Sequence, residues 1–140
     1  MITDELKSKI DKIWETFWTG GITNPLEVIE QFTHLLFIKG LDDIETTKEQ
    51  EAVFLGLPYE GMFPSDKQYL RWSRFKNMEA TEMYNIVMNE VFPFIKNLHQ
   101  DGDSAYAKYM GDAIFKIPTP QMLSKVIDGI DRYKKPNMTT

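Results

Sequence analysis

The chain has 140 residues, 42% of them hydrophobic, 26% charged and 13% aromatic, with a formal net charge of −5. That composition excludes a disordered chain and suits one domain with a real core, while the acidic balance argues against a free-standing nucleic-acid binder, which draws its affinity from a basic surface. With no cysteine there is neither a disulfide framework nor a thiolate metal site; no run approaches the roughly 20 apolar residues of a membrane span, so the expectation is a soluble, cytoplasmic protein with no membrane contact.

The first helix is expected to start after Thr3, with Asp4 and Glu5 in its first turn, where the macrodipole favours carboxylates. Leu6, Ile10, Ile13, Trp14, Phe17 and Trp18 recur at helical spacing, and Thr19-Gly20-Gly21 ends the run. A second helix has a clear start: Asn24 as N-cap, Pro25 at the first helical position, and Glu27 placed to reach back to the cap. Its Leu35-Leu36-Phe37-Ile38 stretch is apolar all round, so this helix is expected to be central in a bundle or covered by a partner. Gly40 is expected to stop it, with a third helix from Leu41 to about Phe54 beginning on Asp42, Asp43 and Glu45.

Residues 56–66 hold two glycines and two prolines and read as an ordered loop with Tyr59, Met62 and Phe63 turned inward. A short helix is expected over 67–76. A long helical pattern follows over 79–98, with Met83, Tyr84, Val87, Met88, Val91 and Ile95 on one broad face and a kink or a new helix at Pro93. Gln100 to Asp103 reads as a turn, and Ser104 as the cap of a helix with Tyr106, Ala107 and Met110 inward. Thr119-Pro120 repeats the cap-then-proline signal for a last helix to about Tyr133, buried on Leu123, Val126, Ile127 and Ile130. No alternation of period two persists, so the fold expected is all-α, an irregular bundle of five to seven helices spanning 1–133, with 134–140 beginning a linker.

The chemistry of a catalytic site is hard to find. His34 and His99 are the two histidines, neither beside a partner motif, and read as structural or exposed. The acid pairs Asp42-Asp43 and Asp101/Asp103 lack the calcium-loop pattern, and Gly20-Gly21 is too short to cradle a phosphate. Asn24-Pro25 is followed by Leu26 and Glu27, so the Asn-Pro-Pro-aromatic signature of amino-methyltransferases is not met. The one unusual stretch carries Lys67, Arg71, Arg74 and Lys76 among Tyr69, Trp72 and Phe75. Two readings stand for it. Lys67, Arg71, Trp72, Arg74 and Lys76 can contact phosphates and bases or a partner; equally, the aromatics can anchor a short helix whose basic side chains pair with the domain's own acids.

Five phrases taken together and in order, over nearly the whole chain, resemble the N-terminal domain of the modification subunit of type I restriction-modification systems. They are Ile13-Trp14 with Gly20-Gly21, the run Leu35 to Glu45, the run Leu70 to Asn77, Val91-Phe92-Pro93-Phe94-Ile95-Lys96, and Phe115-Lys116-Ile117-Pro118-Thr119-Pro120. The chain departs from that pattern at Gly40, where a lysine or arginine is expected. The resemblance implies a helical domain without catalytic, cofactor-binding or metal-binding residues of its own. It implies a parent subunit whose further domain transfers a methyl group from S-adenosylmethionine to the exocyclic N6 amine of adenine in DNA. It also implies partners: a specificity subunit, a second modification subunit, a restriction subunit and double-stranded DNA, around which the domain helps close a clamp. The alternative is an independent helical protein-interaction module.

Overall fold

A computed structural model describes residues 4–22, 24–98 and 110–132. Its regular structure is helical, with no strand among the described residues, as the all-α expectation required. Helix α1 is Asp4–Thr19 and α2 is Pro25–Leu55. A 3-10 segment, Ser65–Leu70, leads into the short α3, Trp72–Phe75. Then come α4 (Ala80–Ile86), a π turn (Val87–Val91), α5 (Phe92–Leu98) and α6 (Pro120–Arg132). The expected turn over 100–103, the cap at Ser104, Tyr106 and Ala107, and the linker over 134–140 lie outside the described residues; Met110 is buried, as expected.

The core forms where α6 packs against α1 and α4. Leu123, Val126, Ile127 and Ile130 supply the buried face of α6, and Thr119 Oγ1 caps the helix by accepting the Met122 N–H at 3.1 Å. On α1 only part of the expected stripe is inside: Ile13 and Phe17 are buried, whereas Ile10 and Trp18 are exposed, so the buried face is narrower than the apolar pattern. Asn24 caps α2 through Oδ1, which accepts from the Leu26 N–H at 2.9 Å. Glu27, expected to reach back to that cap, pairs instead with Lys116 at 3.3 Å.

Helix α2 corrects the sequence reading most. It does not stop at Gly40 but runs unbroken for 31 residues. Gly40 has no positive φ, whereas Gly56 does, at φ 69° and ψ 26°, and there the left-handed glycine cap ends the helix, its N–H satisfying the last-turn carbonyls. Asp42, Asp43 and Glu45 are therefore not a helix start. Asp42 and Glu45 continue the buried stripe of Val28, Gln31, Leu35 and Ile38, at the same spacing of three and four.

Around Pro93 the expected irregularity takes the form of a widened turn. The Phe92 N–H bonds to the Val87 carbonyl, a π bond five residues back, so the helix opens just before a proline that lacks a donor and crowds the preceding turn. Buried positions then recur every four residues, at Met83, Val87, Val91 and Ile95, and Met88 is carried out to solvent, against the expectation that it lies inward.

Candidate functional site

The basic-aromatic stretch is built around Arg71. The backbone leaves the 3-10 segment in an extended conformation at this residue, φ −77° and ψ 144°, and turns its side chain onto the polar half of α2. Arg71 is 5% exposed and Asp42 4% exposed. The guanidinium donates from Nε to Asp42, from Nη1 to Glu49 (3.1 Å) and Gln68 (2.9 Å), and from Nη2 to Thr46 (2.9 Å). Its carbon also lies 5.9 Å from the centre of the Phe63 ring. Burial disfavours its charge, and the hydrogen bonds to Asp42 and Glu49 outweigh that, holding its pKa above the ordinary arginine value. The second Asp42 oxygen accepts the Ser73 N–H at 2.9 Å, so one carboxylate both neutralises Arg71 and secures the start of α3.

One turn further along α2, the buried Glu45 carboxylate organises the loop that precedes this segment. It accepts from Tyr59 Oη at 2.7 Å and from the Met62 and Phe63 backbone N–H groups at 3.2 Å each. The hydrogen bond to Glu45 pushes the Tyr59 hydroxyl up to about 12. Gly61 allows the approach, because a Cβ there would stand 1.9 Å from Glu45 Oε2. Phe63 is buried and Met62 half-buried as expected; Tyr59, expected to turn inward, stays at the surface with its hydroxyl bonded to Glu45.

The other candidates divide. Trp72 is buried edge-on to Phe75, and its Nε1 donates to Asp131 at 3.0 Å. Lys76 reaches the same carboxylate at 3.2 Å. Burial opposes ionisation of Asp131, but the bonds from Trp72 and Lys76 outweigh it and hold the carboxyl below its usual range. Lys67 and Arg74 are exposed. Arg71, Trp72 and Lys76 are thus brought together with acids of α2 and α6, as the internal-pairing reading describes, and Lys67 and Arg74 remain at the surface.

Sequence reasoning missed Asp42, Glu45, Glu49 and Asp131 as the partners of this segment. A signal existed in the three-four spacing that carries the buried stripe of α2 from Ile38 into Asp42, Glu45 and Glu49. Gln31, on the same stripe, holds a second loop: Nε2 donates to the Ile114 carbonyl at 2.8 Å, and Oε1 accepts the Lys116 N–H at 3.0 Å. His34 stands edge-on to Phe92 at 5.9 Å, and burial lowers its pKa despite nearby Glu30. Among the described residues no group of three His, Asp or Glu could hold a metal ion, and no helix is long and apolar enough to cross a membrane.

The reverse side of α2 is of another kind. Leu26, Ile29, Leu36, Ile44 and Phe54 are between 43% and 88% exposed, and Val53 and Leu55 in the last turn and Leu57 just beyond it are exposed as well. An open hollow of about 450 Å³ lined by Thr47, Gln50, Glu51, Phe54 and Leu55 lies on this side.

The chain is thus an all-α domain that braces its loops with buried carboxylates and leaves the outer face of α2 apolar. The family model of the HsdM N-terminal domain matches residues 6–130, and the chain belongs to that family, the N-terminal domain of the modification subunit of type I restriction-modification systems. No match was found among curated proteins or solved structures.

Proposed function

We propose that this domain is the non-catalytic assembly and DNA-clamp element of a modification subunit acting in the cytoplasm. In this reading the full-length subunit methylates adenine N6 with S-adenosylmethionine, and the domain joins it to the specificity, restriction and second modification subunits around double-stranded DNA. The observation that carries the proposal is the outer face of α2, where at least five large apolar side chains stand in solvent along one helix. Isolated exposed leucines need no explanation, but several large apolar side chains along one helix face mark a protein contact. The buried brace supports the reading too: Arg71, Asp42, Glu45 and Glu49 fix the 59–76 segment rigidly on α2 and so present Lys67 and Arg74 as surface charges on a stiff support.

The test is reconstitution of the full modification subunit with its specificity subunit, with and without this domain. Loss of the complex and of methyl transfer to duplex DNA, with S-adenosylmethionine binding by the remaining subunit intact, is the expected outcome. Full assembly and methylation without the domain would overturn the proposal.

A further inference from the structure

The exposed face of α2 has an internal order that points to its occupant. Gly40 sits at its centre, and a Cβ at that position would meet nothing within 4 Å inside the domain. Neither a left-handed conformation nor tight packing within this chain requires glycine there. Outward from Gly40 the face matches in character at three of four levels: Leu36 and Ile44 four residues away, Thr33 and Thr47 seven away, Leu26 and Phe54 fourteen away. All six are exposed. The only charged residue on this line is Glu51, the counterpart of Ile29.

We infer that this face pairs with a second copy of the same chain, the two α2 helices lying antiparallel about a two-fold axis at Gly40. A two-fold contact must be self-complementary, and the mirrored sequence meets that condition, setting Leu36 against Ile44, Thr33 against Thr47 and Leu26 against Phe54. The charges on the shoulders agree. Antiparallel pairing brings Glu30 of one copy beside Lys48 of the other on one shoulder, and Lys39 beside Asp43 on the other shoulder, each contact occurring twice. Lys39 and Asp43 already pair within the helix at 3.1 Å and need only exchange partners.

The hollow beside Thr47, Glu51 and Phe54 then receives Leu26 and Ile29 of the second copy. Gly40 lets the two backbones approach at the crossing point, where any side chain would hold them apart. From Leu26 to Phe54 the seam is roughly 42 Å long and about one helix diameter wide. It buries on the order of 1,000 Å² over both copies, near the lower bound for a specific pair. A contact of that size is reversible. The inference rests on the assembly reading for its setting, while the pairing itself is a property of the chain.

The chain has no cysteine, so cross-linking reads the pairing directly. Chains carrying Thr33→Cys and chains carrying Thr47→Cys are oxidised separately and as a mixture at roughly 0.1 mM, a concentration at which weak pairs are populated. The expected result is a disulfide dimer in the mixture and little in either separate sample, because equal positions lie about 21 Å apart along an antiparallel pair. Adding Leu36→Glu and Ile44→Glu should abolish the cross-link while the circular dichroism stays helical. No dimer in the mixture overturns the inference, and dimers in the separate samples overturn the antiparallel register. The assembly reading fails separately: a cross-linking chain whose removal leaves the complex and methyl transfer intact refutes that reading and leaves the seam standing.

Discussion

Arg71 and Asp42 show how far a residue's apparent chemistry depends on burial. Both side chains are buried, and each satisfies the other's charge. Removing one member of such a pair leaves an uncompensated charge, at a cost of about 3–5 kcal/mol, so Arg71→Ala should lower the urea midpoint sharply, whereas Arg74→Ala at the surface should leave it nearly unchanged. Equal midpoints for the two variants would contradict the brace. His34 gives a pH dependence of definite sign. Its folded pKa lies below the ordinary 6.5 because burial disfavours the cation, so its contribution to stability is complete above about 6.5 and is lost as the pH falls below that value toward the folded pKa. Melting temperature should fall across that window, and His34→Gln should flatten the fall. The basic and aromatic character of residues 67–76 was legible in the sequence; its engagement was not. The partner of Arg71 is 29 residues away, on a helix whose acids read as a charged helix start.

At the scale of elements, helix α2 explains both what the sequence disclosed and what it concealed. Its N-terminal cap, the start of α6 and the irregularity ahead of Pro93 follow from local stereochemistry and are where the residues indicate. Its length was hidden because the buried stripe changes from apolar to polar after Ile38: a reading based on hydrophobic period loses the helix while the helix continues. Gly40 completed the illusion by resembling a stop. A mid-helix glycine costs about 1 kcal/mol relative to alanine, so Gly40→Ala should raise the stability of the isolated domain by about that amount while weakening self-association. Thermal melts and sedimentation of the same variant check both halves. At Gly61 alanine should act in the opposite sense, since its Cβ would drive into the Glu45 carboxylate; the variant should unfold earlier and lose the raised Tyr59 ionisation, seen by ultraviolet titration.

For the whole molecule, the hydrophobic core holds the helices together, the polar residues of the α2 inner face anchor the loops on it, and the outer face of α2 is the surface proposed to meet partners. The helical class was legible in the three-four spacing and the absence of period-two alternation, and the family in five phrases standing in order along the chain, which the family model over 6–130 bears out. The outer seam was only half legible: an all-round apolar stretch at Leu35 to Ile38 pointed to a covered helix, but the mirrored order about Gly40 has meaning only once α2 is known to be continuous. In the assembled enzyme on duplex DNA, Lys67→Ala with Arg74→Ala should flatten the salt dependence of binding by about one unit of slope for each phosphate no longer neutralised. An unchanged slope would show that the exposed charges of this segment do not meet DNA.

The most direct measurement is made on the full modification subunit carrying Leu36→Glu and Ile44→Glu, mixed with its specificity subunit and a target duplex, with complex mass and methyl transfer followed together. The expected result is a folded subunit that still binds S-adenosylmethionine but forms the closed complex only at higher concentration, with methyl transfer at least about tenfold slower at limiting enzyme, equivalent to a loss of about 1.4 kcal/mol. A complex of unchanged mass, stability and methylation rate would contradict the claim that the outer face of α2 is where this domain works.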